Sequence, residues 1–167
     1  PEVRLGLICS KVEDAFATVF RQNVLTRFEW SAHTARREAK LSSEQICQFW
    51  WEANHALYGE SVEMLPQYKW GWSYIPHFIH TPFYCYAYVF GEPLVPSLYR
   101  MYKEEGADFV PRYLQLLKSG CSESPEVLLK KVGADISDAG FWQKGLDMLD
   151  SLVRQAESLA AQRDGGK

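Results

Sequence analysis

Apolar side chains recur at steps of three and four residues through most of this chain, which is the spacing of a helix that buries one face. Between residues 12 and 38 no proline interrupts this stripe, which consists of Phe16, Val19, Phe20, Val24, Leu25 and Phe28. Tyr84, Tyr86 and Tyr88 alternate with small residues and resemble a strand in isolation. Pro82 and the helical pattern on both sides argue against a strand there. The sequence therefore predicts an all-α fold.

A second long helix is predicted to begin at Ser42. Ser42 and Gln45 have the spacing of a capping box, in which each side chain bonds the backbone N–H of the other residue. The apolar face ends at Gly59, a residue type that commonly closes helices. The helical pattern then lapses from residue 60 to residue 75, where Pro66 interrupts it, so a loop or short turns are expected.

A third helix carries the aromatic residues that follow. Thr81 and Pro82 are suited to its N-cap and its first helical position. Farther along, Gly91, Pro93 and Pro96 are expected to kink or divide this helix, because proline removes a backbone donor and crowds the preceding turn.

Three more helices are predicted toward the carboxy terminus. They are residues 109–118 ending at Gly120, a short helix opened by Ser124 and Pro125 and closed by Gly133, and a last helix capped by Ser137 that runs to about Gln162. The chain is interpreted as a single all-helical domain over residues 1–162, cut from something longer, with a polar tail at residues 163–167.

Charge and composition exclude several classes of protein. The formal charge of −3 and the lack of a long basic run argue against nucleic acid as a partner. No apolar stretch reaches the ~18 uninterrupted residues that a membrane span needs, so no membrane partner is expected. The four cysteines form no Cys-x-x-Cys pair and follow no secretory leader, which favours reduced thiols in a cytoplasmic protein.

No metal site is predicted within these residues. Glu52 and His55 have the Glu-x-x-His spacing that di-iron bundles use twice, but here it occurs once. Glu29 and His33 lie four apart on the first helix and are interpreted as a surface hydrogen-bonded pair. The sequence contains no His-Glu-x-x-His, no glycine-rich phosphate loop and no Gly-x-Ser-x-Gly elbow, so neither zinc ligation nor nucleophilic catalysis has a local signature.

The segment from residue 70 to residue 90 gathers nine aromatic side chains around His77 and His80. Such bulk often only fills a core, but each buried phenol needs a hydrogen-bond partner, so alternating tyrosines favour a polar face. Tyr84 and Tyr88 are expected on one side of the third helix. The positive end of that helix disfavours a charged imidazole just before it. A neutral histidine and two phenols are therefore predicted to form an oxyanion-binding set.

Residues 77 to 91, His-Phe-Ile-His-Thr-Pro-Phe-Tyr-Cys-Tyr-Ala-Tyr-Val-Phe-Gly, preceded by Trp72 and Ile75, resemble the downstream signature of oligoendopeptidase F, a zinc peptidase related to thimet oligopeptidase. Further blocks are similar to that family in the same order. They are residues 18–22, 28–29, 33, 98–99, 102–106, 109, 113, 116–117, 119–120, 125–129, 133–135, 141–142 and 145–146. Ordered blocks over most of the chain are stronger evidence than one tyrosine-rich string.

Members of that family bind zinc through His-Glu-x-x-His and a glutamate on a following helix, and both elements lie upstream of the part that is similar here. The resemblance implies that this chain is the carboxy-terminal portion of a zincin-type catalytic domain. Zinc and an oligopeptide substrate then belong to the intact parent metalloendopeptidase, while no zinc and no activity are expected of the isolated chain. The upstream zinc-bearing part becomes a partner, and apolar surface left bare is expected to promote self-association.

The resemblance also assigns roles to individual residues. His77 matches the histidine that contacts the substrate or polarises its carbonyl, and Tyr88 matches a tyrosine that donates to the oxyanion. Tyr84 matches a second tyrosine of the same groove. The thimet branch aligns only with a one-residue gap, which leaves open whether His80, Tyr84 or Tyr86 takes the secondary role. His80 and Tyr86 are the substrate-binding candidates.

Two other functions fit the same residues. One is a non-catalytic helical interaction module, and the other is a small-ligand-binding bundle, each on a scaffold derived from a peptidase. The order of the family blocks favours the peptidase fragment. A His-Glu-x-x-His stretch encoded upstream of Pro1 would separate these hypotheses.

Overall fold

The computed structural model describes residues 2–164, and these residues form helices and turns without a strand. Within that range the α-helices are α1 Glu2–Ala15, α2 Arg21–Glu38, α3 Ser43–Tyr58, α4 His77–His80, α5 Tyr86–Glu105, α6 Val110–Ser119, α7 Pro125–Lys131 and α8 Ala139–Asp164. A π-helical turn occupies Phe16–Phe20, and 3₁₀ helices occupy Pro66–Tyr74 and Gly106–Phe109. The predicted all-α fold is confirmed.

The chain divides into two compact units. One is Ala15–Phe90, and the other combines the residues before and after that segment. The single domain proposed over residues 1–162 stays a prediction. A polar tail was predicted at residues 163–167. Its first two residues belong to α8, which ends at Asp164, and residues 165–167 lie outside the described part of the chain. Among the described helices, none combines the length and the apolar character required to cross a bilayer.

The capping box of α3 is confirmed. The Ser42 hydroxyl accepts from the Gln45 backbone N–H at 3.3 Å, and the Gln45 side-chain oxygen accepts from the Ser42 backbone N–H at 2.9 Å. Gly59 ends this helix with φ +51°, a left-handed conformation that glycine adopts without steric cost. The segment expected as a loop or short turns contains the 3₁₀ helix Pro66–Tyr74.

The core of the Ala15–Phe90 unit lies between α2, α3 and the 3₁₀ helix Pro66–Tyr74. Its buried members are Val24, Leu25, Phe28, Trp50, Ala53, Ile75 and Cys85. Trp50 is 0% exposed, and its indole N–H donates to the Tyr68 carbonyl at 2.9 Å. Gly71 faces the same indole so closely that an added Cβ would lie 2.9 Å from the Trp50 Nε1. This close approach of backbone to ring requires glycine.

The prolines do not divide the third helix, because α5 runs without interruption from Tyr86 through Pro93 and Pro96. The alternative, that they kink it, stays a prediction. The fixed φ of proline suits a helix, and its costs there are the lost backbone donor and the crowding of the preceding turn. The buried Ser97 hydroxyl lies 2.9 Å from the Pro93 carbonyl and 3.0 Å from the Phe141 carbonyl, which supplies polar contacts at this turn.

Of the four capping residues predicted toward the carboxy terminus, three are confirmed and one is wrong. Gly133 closes α7 with φ +88°, and its N–H donates to the Lys130 carbonyl at 3.0 Å. Gly120 follows α6 with φ +51°, and the Ser124 hydroxyl accepts from the first turn of α7. Ser137 does not cap α8, because its backbone N–H and its hydroxyl both donate to the Asp135 carboxylate. Asp138 takes that place by accepting from the Gly140 N–H at 2.9 Å.

Candidate functional site

The candidate site lies at the turn that joins α4 to α5, inside the Ala15–Phe90 unit. Thr81 and Pro82 were predicted to open a helix, but they belong to this turn, and α5 begins at Tyr86. The reason is Phe83, which has φ +62° and is the one non-glycine residue with a positive φ among residues 2–164. A left-handed residue cannot continue a right-handed helix, so the chain turns before α5 starts.

His77, Tyr84 and Tyr88 come together around this turn. The His77 and Tyr84 rings are nearly parallel, at 6° with centroids 6.3 Å apart. Tyr88 meets the His77 ring at 6.1 Å and 80°, and meets the Tyr84 ring at 5.3 Å and 86°. We call these three residues the His-Tyr cluster. The rings of Tyr84 and Tyr88 meet, but the prediction that both lie on one side of the same helix is wrong, because Tyr84 precedes α5.

The cluster is accessible to solvent. Tyr84 is 48% exposed, and His77 and Tyr88 are partly buried. One imidazole and two phenols, held by ring contacts at the surface, are able to offer hydrogen-bond donors to an external group. This is the chemical capacity that an oxyanion-binding set requires.

His80 and Tyr86 point outward instead. Tyr86 is 58% exposed, and His80 is also exposed. Within residues 2–164 no ring contact joins either side chain to the His-Tyr cluster. Their predicted part in substrate binding stays a prediction.

The dipole argument for a neutral histidine rested on an incorrect helix start. His77 and His80 lie inside the short helix α4, as its first and last residues, and α5 begins only at Tyr86. The positive end of α5 therefore does not act on them in the way the sequence predicted.

Glu29 is a buried residue that the sequence interpretation placed wrongly at the surface. Glu29 is 3% exposed, and its carboxylate accepts from the Phe83 backbone N–H at 2.6 Å. The neighbouring His33 packs its ring on the Phe83 ring, with centroids 4.6 Å apart. A signal was present, because Glu29 follows Leu25 by four positions and thus lies on the apolar face of α2.

The Glu29 carboxylate also influences Cys85. This thiol is completely buried, and burial together with the nearby negative charge of Glu29 raises its pKa to about 11. Cys85 is therefore a neutral core residue rather than a nucleophile at neutral pH.

A second polar network packs against the core of the Ala15–Phe90 unit through Tyr68. Arg21 donates to the Tyr68 hydroxyl at 3.3 Å and to the Tyr74 hydroxyl at 3.2 Å, and Tyr68 donates to the Asn54 side-chain oxygen at 3.2 Å. Burial opposes the charge of Arg21, but its hydrogen bonds to the two phenols outweigh this and raise its pKa. Asn54 in turn donates to the Trp50 carbonyl at 2.8 Å, which completes the connection to the core.

The residues present do not fit a zinc ion. Across residues 2–164, no three His, Cys, Asp or Glu side chains come close enough together to hold a metal. Glu52 accepts from Gln48 at 2.8 Å, and His55 lies 3.8 Å from Glu60, so the Glu-x-x-His pair is engaged with other neighbours.

Known proteins are similar to this chain over most of its length. Residues 5–148 match the family described as peptidase family M3. Oligopeptidase PepF of Bacillus subtilis is 29% identical over 157 residues, which is 93% of this chain and 23% of that protein. The plasmid form of oligoendopeptidase F of Lactococcus lactis subsp. cremoris is 26% identical over 157 residues, covering 93% of this chain and 26% of that protein.

The fold is similar to a solved structure as well. The crystal structure of oligoendopeptidase-F from Enterococcus faecium superposes with a TM-score of 0.89 at 29% identity, over 97% of this chain and 31% of that one. The chain thus spans about a quarter of the length of the curated relatives and about a third of the solved structure.

Proposed function

The chain belongs to peptidase family M3, and from this we propose that it is the carboxy-terminal part of a zinc metalloendopeptidase that hydrolyses oligopeptides. The observation that carries the proposal is the His-Tyr cluster, in which His77, Tyr84 and Tyr88 meet at a solvent-accessible turn. Relatives named as oligopeptidases support the substrate class.

In this proposal the cluster binds the substrate and stabilises the charge that develops on it. His77 contacts the carbonyl of the peptide to be cut, and the Tyr88 hydroxyl donates to the oxyanion. Donors aimed at an oxyanion are worth more there than in water, because the site holds them in place before the charge forms. Tyr84 lines the same groove, and the exposed His80 and Tyr86 contact the flanking substrate residues.

Zinc is assigned to the upstream part of the parent chain, because the described residues of this chain gather no ligand set. The isolated chain is accordingly proposed to be inactive. Its partners are then the oligopeptide substrate and the upstream zinc-bearing part, and its compartment is the cytoplasm.

The proposal is tested in two steps. The first is to read the coding sequence upstream of Pro1 for His-Glu-x-x-His. The second is to express the intact parent and measure cleavage of an internally quenched oligopeptide, with residues 1–167 alone as the matched sample. The expected result is cleavage by the parent only. An upstream region without the motif, or an inactive parent that binds peptide, favours the non-catalytic module instead.

A further inference from the structure

The turn before α5 is held in a conformation that its own residue does not prefer. Phe83 has φ +62°, and a bulky side chain is uncommon in the left-handed region. Such a conformation persists only when surrounding contacts impose it. The question is therefore which contacts impose it at Phe83.

Glu29 supplies one of these contacts, from a distant part of the sequence. Its carboxylate accepts from the Phe83 N–H at 2.6 Å across a separation of 54 residues. None of the ion pairs formed by the described residues includes Glu29. Glu29 is 3% exposed, and its bond to the Phe83 N–H satisfies a side-chain acceptor that is costly to bury unpaired, so breaking this bond carries a penalty.

His33 adds a second contact from the same face of α2. It lies one helical turn after Glu29, and its ring packs on the Phe83 ring at 4.6 Å. Glu29 thus holds the backbone of Phe83 while His33 holds its side chain. Both contacts fix the residue immediately before Tyr84.

The turn closes directly onto the His-Tyr cluster. The Tyr84 N–H donates to the Thr81 carbonyl at 3.2 Å, and the Tyr88 N–H donates to the Cys85 carbonyl at 3.3 Å. A change in the Phe83 backbone therefore shifts the backbone of Tyr84 and Tyr88, and with it the position of both phenol rings relative to His77.

We propose that Glu29 is a positioning residue, which fixes the left-handed turn at Phe83 and thereby sets Tyr84 and Tyr88 against His77. This role rests on the function proposed above for the cluster. Glu29 does not touch substrate; it acts through the backbone of the turn.

The test is a double-mutant cycle between Glu29→Ala and Tyr88→Phe in the intact parent enzyme, with kcat and KM measured on an internally quenched oligopeptide. Glu29→Ala should lower kcat about 10–100-fold while KM changes less than about 3-fold. Tyr88→Phe should then add only about 10-fold in the Glu29→Ala background, less than the loss of about 10²–10³-fold that it causes alone, because part of the contribution of a displaced phenol is already gone. Glu29→Gln, which keeps an acceptor oxygen, should recover part of kcat.

The matched control is Glu38→Ala, which removes an exposed carboxylate from the same helix and should leave kcat unchanged. If Glu29→Ala does not fold, Glu29→Met in the intact parent, which keeps the length of the side chain but has no acceptor oxygen, provides the second measurement. The Phe83 amide should exchange its hydrogen at least about 10-fold faster than in the unchanged chain, while the Phe49 amide in α3 should not. Unchanged protection of Phe83 overturns the proposal.

The outcomes separate this role from the proposed function. If Tyr88→Phe keeps its full effect in the Glu29→Ala background, Glu29 only supports the fold and the positioning role is wrong. If Tyr88→Phe is harmless in the otherwise unchanged parent, the proposed function of the cluster fails, and the positioning role fails with it.

Discussion

The rings of His77 and Tyr88 meet edge to face, with centroids 6.1 Å apart and planes at 80°. This geometry presents the positive edge of one ring to the electron-rich face of the other. Tyr84 contacts both rings, so each member of the group restrains the other two. An imidazole and two phenols are thereby kept near one another on an accessible surface, whatever the substrate.

Removing the Tyr88 hydroxyl tests the proposed oxyanion contact. In the intact parent, Tyr88→Phe should lower kcat by about 10²–10³ with a much smaller change in KM, because the lost donor acts mainly in the transition state. Steady-state kinetics on an internally quenched oligopeptide give both constants. Tyr102→Phe, at another exposed tyrosine, is the control and should keep kcat. An unchanged kcat for Tyr88→Phe would remove this hydroxyl from the mechanism.

The isolated chain should bind no stoichiometric zinc and cleave no peptide. Its described residues gather no set of three ligands, and a thermodynamically strong zinc site needs several deprotonated side chains in one place. Metal analysis after dialysis against micromolar zinc, together with a peptide-cleavage assay, measures both properties. Robust hydrolysis by a metal-free preparation of residues 1–167 would contradict the prediction.

The isolated chain is also expected to self-associate through exposed apolar surface. Trp30 on α2 is 71% exposed to solvent. Other large apolar side chains that are mostly exposed are Val3, Leu7, Leu65 and Ile79. Light scattering coupled to gel filtration should show an average mass that rises with concentration. Trp30→Gln should reduce this rise, whereas Thr34→Gln, at an exposed polar position on the same helix, should not. A strictly monomeric chain at high concentration argues against the idea.

Local signals predicted the fold better than they predicted the site. Ser42 and Gln45 define the start of α3 because they lie within one helical turn of each other, and the capping box forms as expected. The contact between Glu29 and Phe83 spans 54 residues, and no local pattern encodes such a pair. The left-handed Phe83 follows from tertiary contacts, so the start of α5 was misplaced.

Cys85 should make the stability of the chain depend on alkaline pH. Burial and the charge of Glu29 raise its pKa from 9.0 to about 11, so the folded state retains the thiol proton longer than the unfolded state. The resulting stabilisation is fully present below pH 9 and is lost as pH rises toward 11. Urea denaturation at several pH values should therefore show the free-energy difference between the unchanged chain and Cys85→Ala shrinking over this interval.

The control for that series is Cys121→Ala, because Cys121 is exposed. This variant should keep the pH dependence of the unchanged chain. A constant difference between Cys85→Ala and the unchanged chain from pH 8 to pH 11 would show that the Cys85 thiol titrates alike in both states.

Gly71→Ala should destabilise the chain because Gly71 packs against a ring that has no room to move. An added Cβ would lie 2.9 Å from the Trp50 Nε1, and Trp50 is fully buried and bonded to the Tyr68 carbonyl. Overpacking of this kind costs about 1–3 kcal/mol of the free energy of unfolding, measurable by urea denaturation. Gly6→Ala is the matched control, because nothing lies within 4 Å of its added Cβ inside α1. There alanine should stabilise by about 0.5–1 kcal/mol through better helix propensity. Equal effects of the two substitutions would mean that the 3₁₀ helix moves away from Trp50 at no cost.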